Sequence, residues 1–192
     1  MKKVKFGIVG VGDFGVMHIQ ALKQLPEAEV HAVSCRTESR LKAICEKYKI
    51  PNWYTNVDDL MNDPEMDVII VATGEDTHYS FTEKAIREGK HVLLEKPICL
   101  NVEDGKKLLE LEQNSDLYIL PGHILRYDAS YNNAYRILQN EDMYGKILSI
   151  RVKRNVPIER FSLHSRTHPV FMALAHDIDI ITWLTNSRIK SV

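Results

Sequence analysis

The run Gly10-Val-Gly12-Asp-Phe-Gly15 constrains this chain more than any other segment. It follows a short β-prone stretch, Lys5 to Val9. It leads into a helical pattern, Phe14 to Leu25, whose apolar positions are Val16, Met17, Ile19, Ala21, Leu22 and Leu25. Strand, glycine turn and helix in that order are the context of a dinucleotide-binding fingerprint. Gly10 permits the tight turn. Gly12 lets a pyrophosphate approach the backbone, and Gly15 lets the helix pack closely on the strand. Asp13 and Phe14 open the helix, whose N-terminal N–H groups and dipole favour phosphate. The same residues also fit a sharp strand–helix turn without a ligand; the surrounding pattern favours nucleotide binding.

That pattern alternates strands with helices. Glu29–Ser34 reads as a second strand and Ser39–Tyr48 as a second helix. Val57–Met61 reads as a helical turn capped by Asn56. Asp67–Thr73 contains a continuous apolar run typical of a parallel strand covered on both faces. Thr77–Glu88 reads as a helix stopped by Gly89, His91–Leu94 as a buried strand, and Asn101–Gln113 as a helix capped by Asn101. Leu117–Leu120 reads as a further strand, broken by Pro121-Gly122. The class is α/β, with a doubly wound parallel sheet. After Gly122 the pattern changes. Tyr127–Leu138 and Phe171–Leu184 read as helices, Lys146–Val156 as a half-exposed strand, and Asn186–Val192 as the start of another. The expected division is 1–121 and 122–192.

Composition excludes several classes. Among 192 residues, 25 Lys and Arg face 26 Asp and Glu, a net charge of −1, with 44% hydrophobic and 27% charged residues. A disordered chain and a charge-driven nucleic-acid binder are both disfavoured. Arg151, Lys153 and Arg154 read as a strand's polar face rather than a nucleic-acid module. No apolar run is long enough to cross a bilayer, and the basic, apolar start breaks at Gly10, Gly12 and Asp13, so it reads as a strand. Cys35, Cys45 and Cys99 form neither a disulfide framework nor a zinc pattern, which points to a cytoplasmic setting. His164 and His168 are four apart with His176 further on, but the segment Phe161 to Pro169 reads as a loop, and a solvated loop or substrate contact is favoured there over a metal site. Tyr127, Tyr131 and Tyr135 recur at four-residue spacing, as a helix packing face does.

The end of the second strand bears on the cofactor. An NAD site usually carries Asp or Glu there for the ribose 2′-hydroxyl. This chain reads Ser34-Cys35-Arg36-Thr37-Glu38-Ser39-Arg40, with Cys35 at the acid's place. A 2′-phosphate then meets no repulsion, and Arg36 or Arg40 can grip it. NADP is favoured over NAD; in the alternative, Arg36 stacks on adenine and either cofactor binds.

His91-Val-Leu-Leu-Glu95-Lys96-Pro97 ends a buried strand with two opposite charges. Such a strand end faces the ligand crevice, where a lysine can exchange protons with a hydroxyl. A plain ion pair between Glu95 and Lys96 is the structural alternative. His123 and Arg126 follow the strand ending at Leu120 and fit either substrate contact or hydrogen bonding at a domain junction.

These segments together resemble the glucose–fructose oxidoreductase, inositol dehydrogenase and rhizopine-catabolism (Gfo/Idh/MocA) oxidoreductases. The matches are the glycine loop, Asp67–Thr73, His78, Gly89–Pro97, Gly122–Tyr127, Tyr144-Gly145-Lys-Ile, and His176-Asp-Ile-Asp179 with Trp183-Leu184. The resemblance implies a Rossmann domain followed by the start of an α/β substrate domain. It implies hydride transfer between NADP or NAD and a sugar-, cyclitol- or related small alcohol or ketone. Lys96 matches the family lysine that contacts substrate and serves in proton transfer. His176 matches the family catalytic histidine, whose ordinary pKa of about 6.5 suits it to accept an alcohol proton. Thr73 and His78 match the stretch lining the cofactor, and Glu95 lies beside the nicotinamide ribose in similar proteins.

The chain also departs from the family pattern. Met172 stands where the family commonly has Asp, one helical turn before His176, leaving Asp177 or Asp179 to compensate; Asp179 is a family position expected to support His176. Thr73-Gly74-Glu75-Asp76 departs from the usual Thr-Pro-Asn, with both acids expected to point outward. Family members normally continue well past Val192. A short chain exposes an apolar face and a sheet edge, so a homo-oligomer is expected. The competing reading is a catalytically silent nucleotide-binding remnant or sensor.

Overall fold

The computed structural model describes residues 2–155 and 173–191. They fall into two compact units, Met1–Gly122 and His123–Val192. The first unit alternates β1 (Val4–Val9), α1 (Asp13–Leu22), β2 (Ala28–Ser34), α2 (Glu38–Tyr48), β3 (Asn52–Tyr54), α3 (Val57–Met61), β4 (Val68–Val71), α4 (His78–Arg87), β5 (His91–Leu94), α5 (Val102–Gln113) and β6 (Ile119–Pro121). All six strands run parallel, in the order β3-β2-β1-β4-β5-β6. This is the doubly wound Rossmann order. Its direction reverses between β1 and β4, so the carboxyl ends of those strands flank the crevice where such sheets take ligands.

The two-residue period of the strands divides the core between the sheet's faces. Val9, Ile69 and Val71 pack with α3, α4 and α5, through Leu60, Met61, Ala85, Ile86 and Leu108. Their neighbours Ile8 and Ile70 pack on the opposite face with α1 and α2, through Ile19, Leu22, Leu41 and Cys45. This is why β4 reads as an unbroken apolar run. β2 departs from strict alternation. Phe6 pairs with Val30 but Gly7 pairs with Ala32, so His31 is an extra residue and Val30 and Val33 reach the same face.

Local chemistry sets the helix ends. The side chain of Asn56 accepts from Asp58 N–H and that of Asn101 from Asp104 N–H, capping α3 and α5 as the sequence predicts. Gly89, at φ +75°, follows α4. Two details differ. β3 went unpredicted because three residues after Pro51 are too short to show a period. Pro121 does not break its strand but ends it, at the sheet edge where a missing N–H is tolerated.

The second unit contains α6 (Ala129–Leu138), α7 (Glu141–Tyr144) and α8 (Ala175–Thr185). α6 starts after Tyr127, because the Asp128 carboxylate caps the N–H groups of Ser130 and Tyr131. Tyr135 stacks on Trp183 with centroids 4.2 Å apart, joining α6 to α8. The strands expected over 146–156 and 186–192 are corrected: residues 146–155 and 186–191 contain none. Alternation makes a strand only where a partner completes the ladder, and none is supplied among the described residues. Leu148 is accordingly 96% exposed. Val156, His164, His168, Phe171 and Met172 lie outside the described residues.

Candidate functional site

The three glycines of the loop separate by cause. Gly10 has φ +94°, and a Cβ there would lie 2.4 Å from the Ala72 carbonyl oxygen. A Cβ on Gly15 would lie 1.9 Å from the Gly10 carbonyl oxygen. Both glycines are demanded by the fold itself. Gly12 is not. Its φ of −72° and ψ of −167° are extended backbone that any residue adopts, and a Cβ there meets nothing within 4 Å. A phosphate closing on the backbone is what a side chain at Gly12 would obstruct. The loop therefore fits the dinucleotide that its spacing implies. Asp13 and Phe14 follow it at the exposed start of α1.

β2 ends at Ser34, whose carbonyl accepts from Gly10 N–H at 2.8 Å. Half-buried Cys35 turns its thiol to the Thr37 carbonyl at 3.4 Å. Arg36 and Arg40 are exposed. Glu38 is the first residue of α2 and pairs with Lys42 at 2.7 Å. No carboxylate occurs from Ser34 to Thr37.

At the end of β4, Thr77 donates to the Gly74 carbonyl at 2.8 Å, so the 2.7 Å contact between the two hydroxyls uses Thr73 as donor. Asp76 is exposed and Glu75 half-buried. His78 is only 1% exposed. Its Nδ1 lies 2.7 Å from the Pro97 carbonyl oxygen, which can only accept, so Nδ1 carries the proton. His78 is thus buried, with its Nδ1–H bonded to the turn that follows Lys96.

Glu95 follows β5 and is 8% exposed. Its Oε1 accepts from His18 Nε2 at 2.8 Å and its Oε2 from Lys96 N–H at 3.3 Å. Burial pushes this carboxyl's pKa up. The His18 hydrogen bond and charge, with Lys96, outweigh burial and hold it below the ordinary range. The partner of the Glu95 side chain is thus α1 rather than the neighbouring lysine alone. Lys96 Nζ lies over the Phe14 ring, 5.6 Å from its centroid. His18 was missed in the sequence. Its signal was position, three residues past Gly15 and so one turn along the helix that starts at the glycine loop.

In the second unit, α8 carries half-buried His176 in its first turn, followed by buried Asp177 and Asp179. Asp177 takes both Nε and Nη2 of Arg154, at 2.7 and 2.6 Å. Asp179 takes Arg126, with Nε–Oδ2 at 3.0 Å. Both are two-point carboxylate–guanidinium pairs. Arg154 therefore serves a buried carboxylate rather than a polar strand face. His123 Nε2 stands 3.7 Å from Asp179 Oδ1. Burial pulls the His123 pKa down, Asp179 raises it less, and Arg126 adds to the lowering.

Among the described residues, no group of three or more His, Cys, Asp or Glu is arranged to hold a metal ion, and no helix is long and apolar enough to cross a membrane.

Comparison with known proteins agrees with this geometry. The model of the GFO_IDH_MocA oxidoreductase family, with an NAD-binding Rossmann fold, matches residues 4–123. Inositol 2-dehydrogenase of Salmonella typhimurium is 29% identical over 192 residues, 98% of this chain and 56% of that protein. Myo-inositol 2-dehydrogenase of Thermotoga maritima is 25% identical over 191 residues, 98% of this chain and 57% of that protein. The crystal structure of scyllo-inositol dehydrogenase from Lactobacillus casei with bound NAD(H) and scyllo-inositol superposes with a TM-score of 0.89 at 25% identity, over 96% of this chain and 57% of that one. The chain thus spans little more than half the length of the relatives it matches.

Proposed function

The chain belongs to the Gfo/Idh/MocA oxidoreductase family, and from that premise we propose that it is an NAD(P)-dependent oxidoreductase acting on the CH–OH group of a cyclitol- or sugar-like alcohol, or on the matching ketone. The observation that carries the reading is Gly12, a glycine that neither backbone strain nor packing requires. Gly10, Gly12, Asp13, Phe14 and Gly15 hold the pyrophosphate against the start of α1. Thr73, Glu95 and Lys96 face the rest of the dinucleotide from the ends of β4 and β5. The bound nicotinamide supplies the hydride acceptor or donor.

The chain's own residues handle the proton. Lys96 Nζ, aimed over Phe14, exchanges it with the substrate hydroxyl. His176 serves as a base by the same family correspondence, from its own unit. His123 contributes a neutral imidazole for substrate contact. Arg126 is committed to Asp179, so its part is to hold α8. NADP is the preferred cofactor, supported by Cys35 at the acid's usual place and by exposed Arg36 and Arg40. The inositol dehydrogenases among the relatives make cyclitols the first substrates to try. Exposed Met143, Tyr144 and Leu148 support self-association into a homo-oligomer, and the free cysteines fit a reducing, cytoplasmic setting.

The test is reduction of NADP and NAD by myo- and scyllo-inositol, read by absorbance, in the wild type and in Lys96→Ala. Turnover that Lys96→Ala abolishes while dinucleotide still binds supports the enzyme. Dinucleotide binding without turnover on any polyol or ketone favours the silent sensor instead.

A further inference from the structure

We infer that His18 and His78 are positioning residues that fix the Glu95-Lys96-Pro97 turn from opposite faces of the sheet and so aim Lys96 at the dinucleotide. The inference rests on the proposed cofactor role of that turn and adds two residues to it. α1, which carries His18, packs on the face shared with α2; α4, which carries His78, packs on the face shared with α5. His18 holds the carboxylate just before Lys96, at 2.8 Å. His78 holds the carbonyl just after it, at 2.7 Å. Lys96 is thus bracketed within three consecutive residues by one anchor on each side. Its ammonium then lies over Phe14 of the glycine loop.

Packing alone does not account for His78. The ring is buried, and its Nε2 has no hydrogen-bond partner among the described residues. Burying an unpaired ring nitrogen is costly, whereas an apolar side chain of similar size would fill the space without that cost. What the imidazole adds is the Nδ1–H bond to Pro97. His18 is equally specific. Glu95 is buried and ionised, so it needs a donor, and His18 supplies one from the helix that begins at the glycine loop.

The test substitutes each anchor in two ways in the full 192-residue chain. His18→Gln retains a donor near the Nε2 position and His18→Ala removes it. His78→Asn retains a donor near the Nδ1 position and His78→Leu removes it. NADH and NADPH affinity is measured by nucleotide fluorescence, alongside the thermal midpoint. His18→Ala should weaken the better-bound nucleotide on the order of tenfold, as loss of a hydrogen bond to a charged group does. His18→Gln should restore most of that loss, and His78→Asn should bind more tightly than His78→Leu. His18 is partly exposed, so His18→Ala keeps the test open even where His78→Leu fails to fold. In a Glu95→Ala background the effect of His18→Ala should largely vanish. Equal affinity of His18→Ala and wild type, or full additivity with Glu95→Ala, overturns the inference while leaving the cofactor reading intact. A wild type that binds neither nucleotide overturns both.

Discussion

His18 donates from Nε2 to Glu95 Oε1 across 2.8 Å, tying the helix after the glycine loop to the end of a central strand. Burial alone would raise the Glu95 pKa, yet His18 and Lys96 hold it below its ordinary value of 4.5. The folded state therefore binds this proton less readily than the unfolded chain. The contribution to stability is complete above the ordinary value and is lost as pH falls through the lower, folded value. Urea midpoints for wild type and Glu95→Gln should converge as the pH falls through the acid range in which Glu95 takes up its proton. A difference that widens toward low pH contradicts this assignment.

Asp179 accepts Arg126 on one helix face while Asp177 accepts Arg154. Removing a buried carboxylate leaves its guanidinium uncompensated. Full burial would make that loss about 3–5 kcal/mol. The Arg126 side chain is 41% exposed, so water replaces part of the lost interaction. Asp179→Ala should cost about 1–3 kcal/mol. The effect should appear as faster hydrogen exchange in α8, with the sheet of the first unit unchanged.

Cofactor choice should turn on Cys35. Cys35→Asp places a carboxylate where a 2′-phosphate would approach and where a 2′-hydroxyl would welcome it. NADPH affinity should fall at least about tenfold, while NADH affinity holds or rises. Arg36→Ala should weaken NADPH selectively and leave NADH within about threefold. Paired fluorescence titrations check both, and equal losses for the two nucleotides would remove Arg36 from the 2′ site.

Cys99 follows the Lys96-Pro97 turn and packs against the core, and burial, with a smaller push from Asp104, raises its thiol to about 11. Only the thiolate is nucleophilic, so alkylation by iodoacetamide should be slow at pH 7–8 and climb steadily toward pH 11. A rate that levels off near the free-thiol value of about 8.5 would show that the thiol is not shielded.

Legibility in the sequence followed the range of the interactions. The strand–glycine–helix turn and the Val68–Val71 run were readable because local period and glycine spacing carry them. β3 depends on a neighbouring strand and its three residues left no pattern, while β6 was read with its bounds two residues early at the start and one at the end. The alternation from Lys146 onward misled for the same reason: it records chemistry suited to a strand, and the ladder needs a partner. His18 went unread, and the partners of His18 and His78, 77 and 19 positions away in the chain, came into view only with the fold. The Arg126–Asp179 and Arg154–Asp177 pairs, 53 and 23 positions apart, were likewise invisible as pairs although each residue stood in view.

The most direct test of the whole reading is dinucleotide titration of wild type against Gly12→Ala, with thermal unfolding of both and of Gly15→Ala. A Cβ at Gly12 meets open space, whereas one at Gly15 meets the Gly10 carbonyl oxygen at 1.9 Å. Gly12→Ala should unfold at or slightly above the wild-type temperature, since alanine fits that backbone and restricts the unfolded chain. Its dinucleotide affinity should fall at least about tenfold. Gly15→Ala should lose stability by about 1–3 kcal/mol or more. Gly12→Ala binding NADPH and NADH as tightly as wild type would contradict the claim that this glycine exists to admit a phosphate.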